Sequence, residues 1–104
     1  MTARFKNKVA LVSGGRSGIG FAIAKRLLQE GATVCITSRK QELLEAAANE
    51  LSAFGSCYAY TCDIRESEQI NSLMEFVKAK AGRLDVLVNN AGGQFPVLAE
   101  YLND

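Results

Sequence analysis

The apolar positions change period repeatedly along the chain. VALVS, from Val9 to Ser13, is a continuous apolar run of the length of a short buried strand. From about Gly18 to Glu30 the period lengthens to that of a helix. Ile19, Ile23 and Leu27 fall on one stripe, joined by Ala24 and Leu28, and Gly31 is placed to cap the C-terminus. TVCITS is β-branched and uncharged, a second buried strand. RKQELLEAAANELSAF returns to helical spacing through Leu44, Ala47, Ala48 and Leu51, with Gly55 ending it. SCYAYTC predicts a third strand. ESEQINSLMEFVKAKAG predicts a third helix with Ile70, Leu73, Met74 and Val77 inward and Gly82 at its end. LDVLVNN predicts a fourth strand.

Strands alternating with helices imply right-handed crossovers and a parallel sheet. The strand segments are apolar on both faces, as a sheet covered by helices on both sides requires. The expected architecture is therefore an α/β, doubly wound parallel sheet of about four strands in a single domain over residues 1–104. No internal repeat, linker or low-complexity tract interrupts it. The tail GGQFPVLAEYLND changes character: it holds the only proline, Pro96, and then the start of another helical pattern.

Composition narrows the function classes. Of 104 residues 48% are hydrophobic, enough for a packed core rather than a disordered chain. The net charge is +1 and the basic residues are scattered, so neither nucleic acid nor a membrane is an expected partner. No apolar stretch approaches the ~20 residues of a membrane span. The basic-then-apolar start, MTARFKNKVALV, has too short an apolar part for a signal peptide. Cys35, Cys57 and Cys62 are odd in number, and two sit in apolar strand-like runs, which predicts buried reduced thiols in a cytoplasmic protein. With no histidine, and with a Cys57–Cys62 spacing unlike that of zinc ligands, no metal site is expected.

The chemistry lies in the turns. SGGRSGIG, residues 13–20, joins the first strand to the first helix with few side chains. Such a turn lets backbone N–H groups and the positive end of a helix dipole approach an anion. Gly14 suits the tight turn, Gly18 close approach to a pyrophosphate, and Gly20 close packing of helix on strand. No Gly-Lys-Ser/Thr follows, so this is not a Walker loop. At the end of the second strand, Ser38, Arg39 and Lys40 occupy the turn where an NAD site holds the ribose 2′-hydroxyl with a carboxylate. A guanidinium there suits a 2′-phosphate instead, with Ser38 donating a further hydrogen bond and Arg16 approaching from the glycine turn. As structural features alone, Arg39 and Lys40 would be solvated charges at a helix start, which the dipole disfavours. Asp63, after the third strand, has two readings. It can accept from an adenine amino group with Ile64 bounding the ring, or it can start the next helix through its capping-box-like spacing to Glu66. Asn89, Asn90, Ala91, Gly92 and Gly93 follow the fourth strand. They form either an ordinary Asn/Gly turn or a backbone left open to a ligand.

These motifs, in this order, resemble the short-chain dehydrogenase/reductase family over essentially the whole chain. Gly14-x-x-x-Gly18-x-Gly20 matches that family's glycine motif, with Ser13 in place of the usual threonine. Asn89-Asn90-Ala91-Gly92 matches its Asn-Asn-Ala-Gly motif. Ser17 stands where a basic residue often precedes the second glycine, with Arg16 one place earlier. The resemblance implies a Rossmann-type fold, here incomplete, and an oxidoreductase that binds NADP(H) in preference to NAD(H). It also implies a cofactor site of Ser13, Gly14, Arg16, Ser17, Gly18, Ile19, Gly20, Ser38, Arg39, Asp63, Ile64, Asn90, Ala91 and Gly92, and for Asp63 it favours the adenine. NNAGGQF is most similar to the branch that reduces enoyl-CoA or dienoyl-CoA thioesters, which implies a small-molecule, acyl-CoA substrate with Gly93, Gln94 and Phe95 near the acyl pocket.

The family's chemistry uses a Tyr-x-x-x-Lys pair, whose lysine lowers the tyrosine pKa for proton exchange. Four residues beyond Tyr58 is Cys62, beyond Tyr60 is Ile64, and Tyr101 is too near the end to have a partner. No catalytic residue is therefore expected in the chain. It reads as the cofactor-binding, N-terminal half of an oxidoreductase, truncated at its C-terminal end and homo-oligomeric in full-length form. The alternatives are a non-catalytic nucleotide-binding module and a Rossmann-like interaction protein.

Overall fold

The computed structural model describes residues 4–15 and 18–90. Strand β1 (Val9–Ser13) leads to helix α1 (Gly18–Gln29), β2 (Thr33–Ser38), α2 (Gln41–Leu51), β3 (Cys57–Thr61), α3 (Ser67–Ala81) and β4 (Val86–Asn89). All strands are parallel, in the order β3-β2-β1-β4. The register pairs Ser13 with Thr37 and with Asn89, and Ser38 with Thr61. The C-terminal ends of all four strands therefore lie along one side of the sheet.

The period-two alternation of β1 builds two cores. Ala10 and Val12 face α1 and α2 with Leu27, Leu28, Val34, Ile36, Leu44 and Leu51. Val9 and Leu11 face α3 with Cys35, Ile70, Leu73, Met74 and Val77. Leu11, Leu44, Leu51 and Leu73 are at most 1% exposed. Each such burial contributes about 1.5–3 kcal/mol, and truncating one to alanine would cost about 2–5 kcal/mol.

The entry to β4 is tied to β1. The Val9 N–H donates to Asp85 Oδ2 at 2.9 Å, and the Asp85 N–H donates to the Val9 carbonyl at 2.9 Å. Arg83 Nη2 donates to Asp85 Oδ1 at 2.6 Å. These bonds fix the register that brings Asn89 beside Ser13.

Three expectations shift. Ile19, placed on the buried stripe of α1, is 71% exposed, because the first turn of α1 lies over the glycine turn rather than over the sheet. β1 is buried throughout and β2 everywhere but its ends, whereas β3 and β4 are half-buried, because the strand order makes them the two edges. The second helix begins at Gln41, and its regular part ends at Leu51. A 3-10 turn, Ser52–Phe54, carries the chain to Gly55, with Ser52 Oγ donating to the Ala48 carbonyl. The tail with Pro96 lies outside the described residues.

Candidate functional site

The loops leaving the four strands form one rim. It spans the point where the chain order reverses, between β1 and β4, with β2 and β3 on the far side of β1. In open α/β sheets ligands bind at such a switch point. Gly14, at φ 71°, turns the chain out of β1, and its N–H donates to the Thr37 carbonyl at 2.8 Å. Gly15 lies flat on β2: a Cβ there would stand 2.6 Å from Ile36 Cγ2. Gly20 is where α1 closes on the turn. A Cβ on it would collide with the Gly14 carbonyl oxygen and stand 2.9 Å from Asn90 Nδ2. Gly18 is the opposite case. Its φ is +60°, and among the described residues a Cβ would meet nothing within 4 Å. The backbone at the N-terminus of α1 thus faces open space, a shape that admits a phosphate group.

Ser13 is fully buried and braces this turn. Its hydroxyl donates to Asn89 Oδ1 at 2.9 Å, with the Val88 carbonyl at 3.4 Å. The Asn90 N–H donates to the Ser13 carbonyl at 3.3 Å, and Asn90 Nδ2 lies 3.5 Å from the Gly14 carbonyl. The asparagines thus hold the glycine turn and the end of β4 together. Arg16, Ser17, Ala91 and Gly92, with Gly93, Gln94 and Phe95, lie outside the described residues.

On the β2–β3 side, Ser38 Oγ accepts the Lys40 N–H at 3.4 Å, which leaves the hydroxyl proton available to donate outward. Arg39 and Lys40 are exposed at the start of α2, where Lys40 is the N-cap residue and no side chain caps the helix. Two exposed cations beside the N-terminus of α2 bring positive charge to this corner, against the one acidic residue of the first turn, Glu42.

Asp63 neither caps α3 nor stands alone. The N-cap of α3 is Glu66, without a side-chain cap. Asp63 Oδ1 accepts the Arg65 backbone N–H and Nε, both at 3.0 Å, and Oδ2 accepts Arg65 Nη2 at 2.8 Å. Gln69, in the first turn of α3, accepts the Asp63 N–H at 2.8 Å. The side-chain and backbone hydrogen bonds from Arg65 hold the Asp63 carboxyl at about 2, against a small upward push from desolvation, with the charges of Arg65 and then Arg39 adding to the effect. Arg65 therefore grips an ionised carboxylate, whose charge Arg39 favours to a smaller degree. The Ile64 side chain packs into the core beneath α3.

The family model for short chain dehydrogenases matches residues 8–104. The chain belongs to this family. Among short chain dehydrogenase relatives, a protein of Caenorhabditis elegans named probable 2,4-dienoyl-CoA reductase 3 is 40% identical over 101 residues, covering 94% of this chain and 33% of its own. A metagenomic short-chain oxidoreductase solved in complex with NADP is 42% identical, with a TM-score of 0.79 over 86% of this chain and 41% of its own. An NAD+-bound xylitol dehydrogenase is 34% identical, with a TM-score of 0.82 over 88% of this chain and 35% of its own. The chain spans about a third of the length of the curated relatives it matches.

Sequence reasoning did not single out Gly15, Arg65 or Gln69. Gly15 is demanded by the approach of the turn to Ile36, which no spacing rule announces. Arg65 carried a readable signal, since an Asp-x-Arg triplet in a tight turn lets the guanidinium fold back on its own carboxylate.

Proposed function

We propose that the protein is an NADP(H)-dependent oxidoreductase of the short chain dehydrogenase type, acting on a carbonyl or enoyl-thioester substrate, and that this chain supplies its cofactor-binding half. The observation that carries the reading is the corner at the end of β2. There Ser38, Arg39 and Lys40 are cationic and hydroxyl-bearing and include no carboxylate. A ribose 2′-hydroxyl would find no carboxylate acceptor on them, whereas a 2′-phosphate would find a guanidinium fork and a hydroxyl donor.

The residues divide the work. Gly14, Gly18 and Gly20, with Ser17, cradle the pyrophosphate at the N-terminus of α1, with Ile19 exposed beside it, and Arg16 approaches the 2′-phosphate from the glycine turn. Asp63 accepts from the adenine amino group, and the Ile64 backbone bounds the ring. Ser13 and Asn90 hold the turn in shape, and Ala91 and Gly92 leave room on the nicotinamide side. The bound cofactor supplies or takes up the hydride. The proton must come from a group outside these 104 residues, because none of the tyrosines has a lysine four residues on. An acyl-CoA thioester is the substrate class best supported, by the NNAGGQF stretch and the likeness to the worm reductase. We place the protein in the cytoplasm as a homo-oligomer in full-length form. Among the described residues no helix is long and apolar enough to cross a membrane.

The test is a titration of wild type and Arg39→Asp with NADPH and NADH, alongside NADPH oxidation. A charged hydrogen-bonding partner is worth about 1.5–3 kcal/mol, so Arg39→Asp should weaken NADPH roughly tenfold to a hundredfold and spare or improve NADH. Wild type should bind NADPH without turning over any carbonyl or enoyl-CoA. Equal affinity for both cofactors, or turnover that survives repurification, would defeat the reading.

A further inference from the structure

The Asp63–Arg65 pair does more than neutralise charge. A carboxylate offers about four acceptor positions, two on each oxygen. Arg65 fills both positions on Oδ1 and one on Oδ2. Among the described residues one position remains, on Oδ2, and the Asp63 side chain keeps 20% of its surface exposed. The backbone beneath is pinned as well, by Gln69 on the Asp63 N–H. The carboxylate is thus held from both sides, on a rim where a purine would lie. The Arg65 side chain is 67% exposed and belongs to neither hydrophobic core, so packing does not account for it.

We propose that Arg65 is a positioning residue for base recognition: its fork orients Asp63 so that the one open acceptor on Oδ2 takes the exocyclic amino group of a 6-amino purine and rejects a 6-oxo purine. This rests on the reading of Asp63 as the adenine acceptor. A 6-oxo group brings an acceptor against an acceptor, and the fork denies the carboxylate the freedom to rotate away or take up a proton. Without Arg65 the carboxylate would rotate and could meet either base through water. Lysine would keep the charge but not the planar fork.

The test measures dissociation constants for NADPH and for its hypoxanthine counterpart, reduced nicotinamide hypoxanthine dinucleotide phosphate. The proteins are wild type, Arg65→Met, Arg65→Lys and Asp63→Ala, each with a melting curve. Wild type should prefer the adenine form by roughly tenfold or more. Arg65→Met should lower that preference to within about threefold by weakening NADPH, with an unchanged melting temperature, and Arg65→Lys should fall between. Loss of preference in Asp63→Ala with full preference in Arg65→Met would overturn the role of Arg65 while sparing that of Asp63. Preference that survives in Asp63→Ala would overturn both. Equal weakening of the two ligands, or tighter NADPH binding, in Arg65→Met would show a structural or obstructing role and overturn the proposal. A wild type that binds neither ligand would overturn the cofactor reading and this proposal with it.

Discussion

Replacing Gly20 by alanine sets a single methyl group against a carbonyl that has nowhere to go. The new Cβ would collide with the Gly14 oxygen and stand 2.9 Å from the Gly14 carbonyl carbon. Gly14 cannot retreat, because its N–H is bonded to the Thr37 carbonyl at 2.8 Å and Ser13 before it is paired to β2 and β4. Helix α1 must therefore lift off the turn. Overpacking of this kind costs about 1–3 kcal/mol, and contact with fixed backbone puts this site near the top of that range. For a domain of this size ~1 kcal/mol shifts the melting temperature by about 4–8 °C, so a fall of roughly 12–24 °C is expected. Gly18→Ala makes the contrast. Its Cβ meets nothing within 4 Å among the described residues, so the penalty they set is that of the positive φ, about 1–2 kcal/mol. Gly18→Asn tolerates that backbone better and should melt closer to wild type, yet it places a side chain where the pyrophosphate approaches. Thermal melts followed by circular dichroism, with NADPH dissociation constants for the three variants, separate the effects. Gly20→Ala should lose stability, and Gly18→Asn should lose mainly affinity. A Gly20→Ala melting within about 3 °C of wild type would refute the reasoning, since no compensating movement is open to Gly14.

Two further outcomes follow from ionisation. Burial pushes Cys35 up to about 12 and Cys57 to about 11, and it raises Cys62 as well. At pH 8 the native Cys35 should react with a disulfide reagent on the order of a thousandfold more slowly than in guanidinium, where all three thiols titrate; rapid labelling of Cys35 in the folded protein would contradict its burial. Desolvation pushes the Asp85 carboxyl up, but the hydrogen bonds from Arg83 and the Val9 N–H and the charges of Arg83 and Lys8 outweigh it and leave its pKa lowered. The stability this gives is present above the unfolded carboxylate value of about 3.9 and fades as pH falls through the lower folded value. Asp85→Asn should thus be less stable than wild type at pH 7, with the gap closing below about pH 4; a gap that does not change with pH would show that the Asp85 charge plays no part.

Much of the fold could be read in advance because the apolar period changes where the elements change. The inward residues of α2 and α3 were placed correctly from spacing alone. Ile19 went wrong because periodicity says which face of a helix is apolar, not how far the sheet extends beneath it. The half-burial of β3 and β4 was hidden because strand order comes from crossover geometry, and an apolar run looks the same at an edge as in the centre. At the rim, the need for close packing at Gly20 was legible, although its neighbour is the turn beyond β1 rather than the strand. Gly15 was not, because its need for bareness comes from Ile36, twenty-one residues away in the chain. Asp63 had two readings on sequence; the Asp-x-Arg spacing permits its bond to Arg65, but only the side-chain geometry shows that bond formed in place of a cap on α3.

The strand order also has a consequence for how the chain is made. β1 pairs with β2 across a gap of about two dozen residues, but its other neighbour is β4, and the Ser13–Asn89 bond joins residues 76 positions apart. Local pairings form early, while distant ones wait on loop closure. On the ribosome, β1 would therefore present one unpaired, largely apolar flank until β4 emerged. At ~5–20 residues per second that exposure lasts several seconds, long enough for a nascent chain to recruit a chaperone or pair with its neighbour.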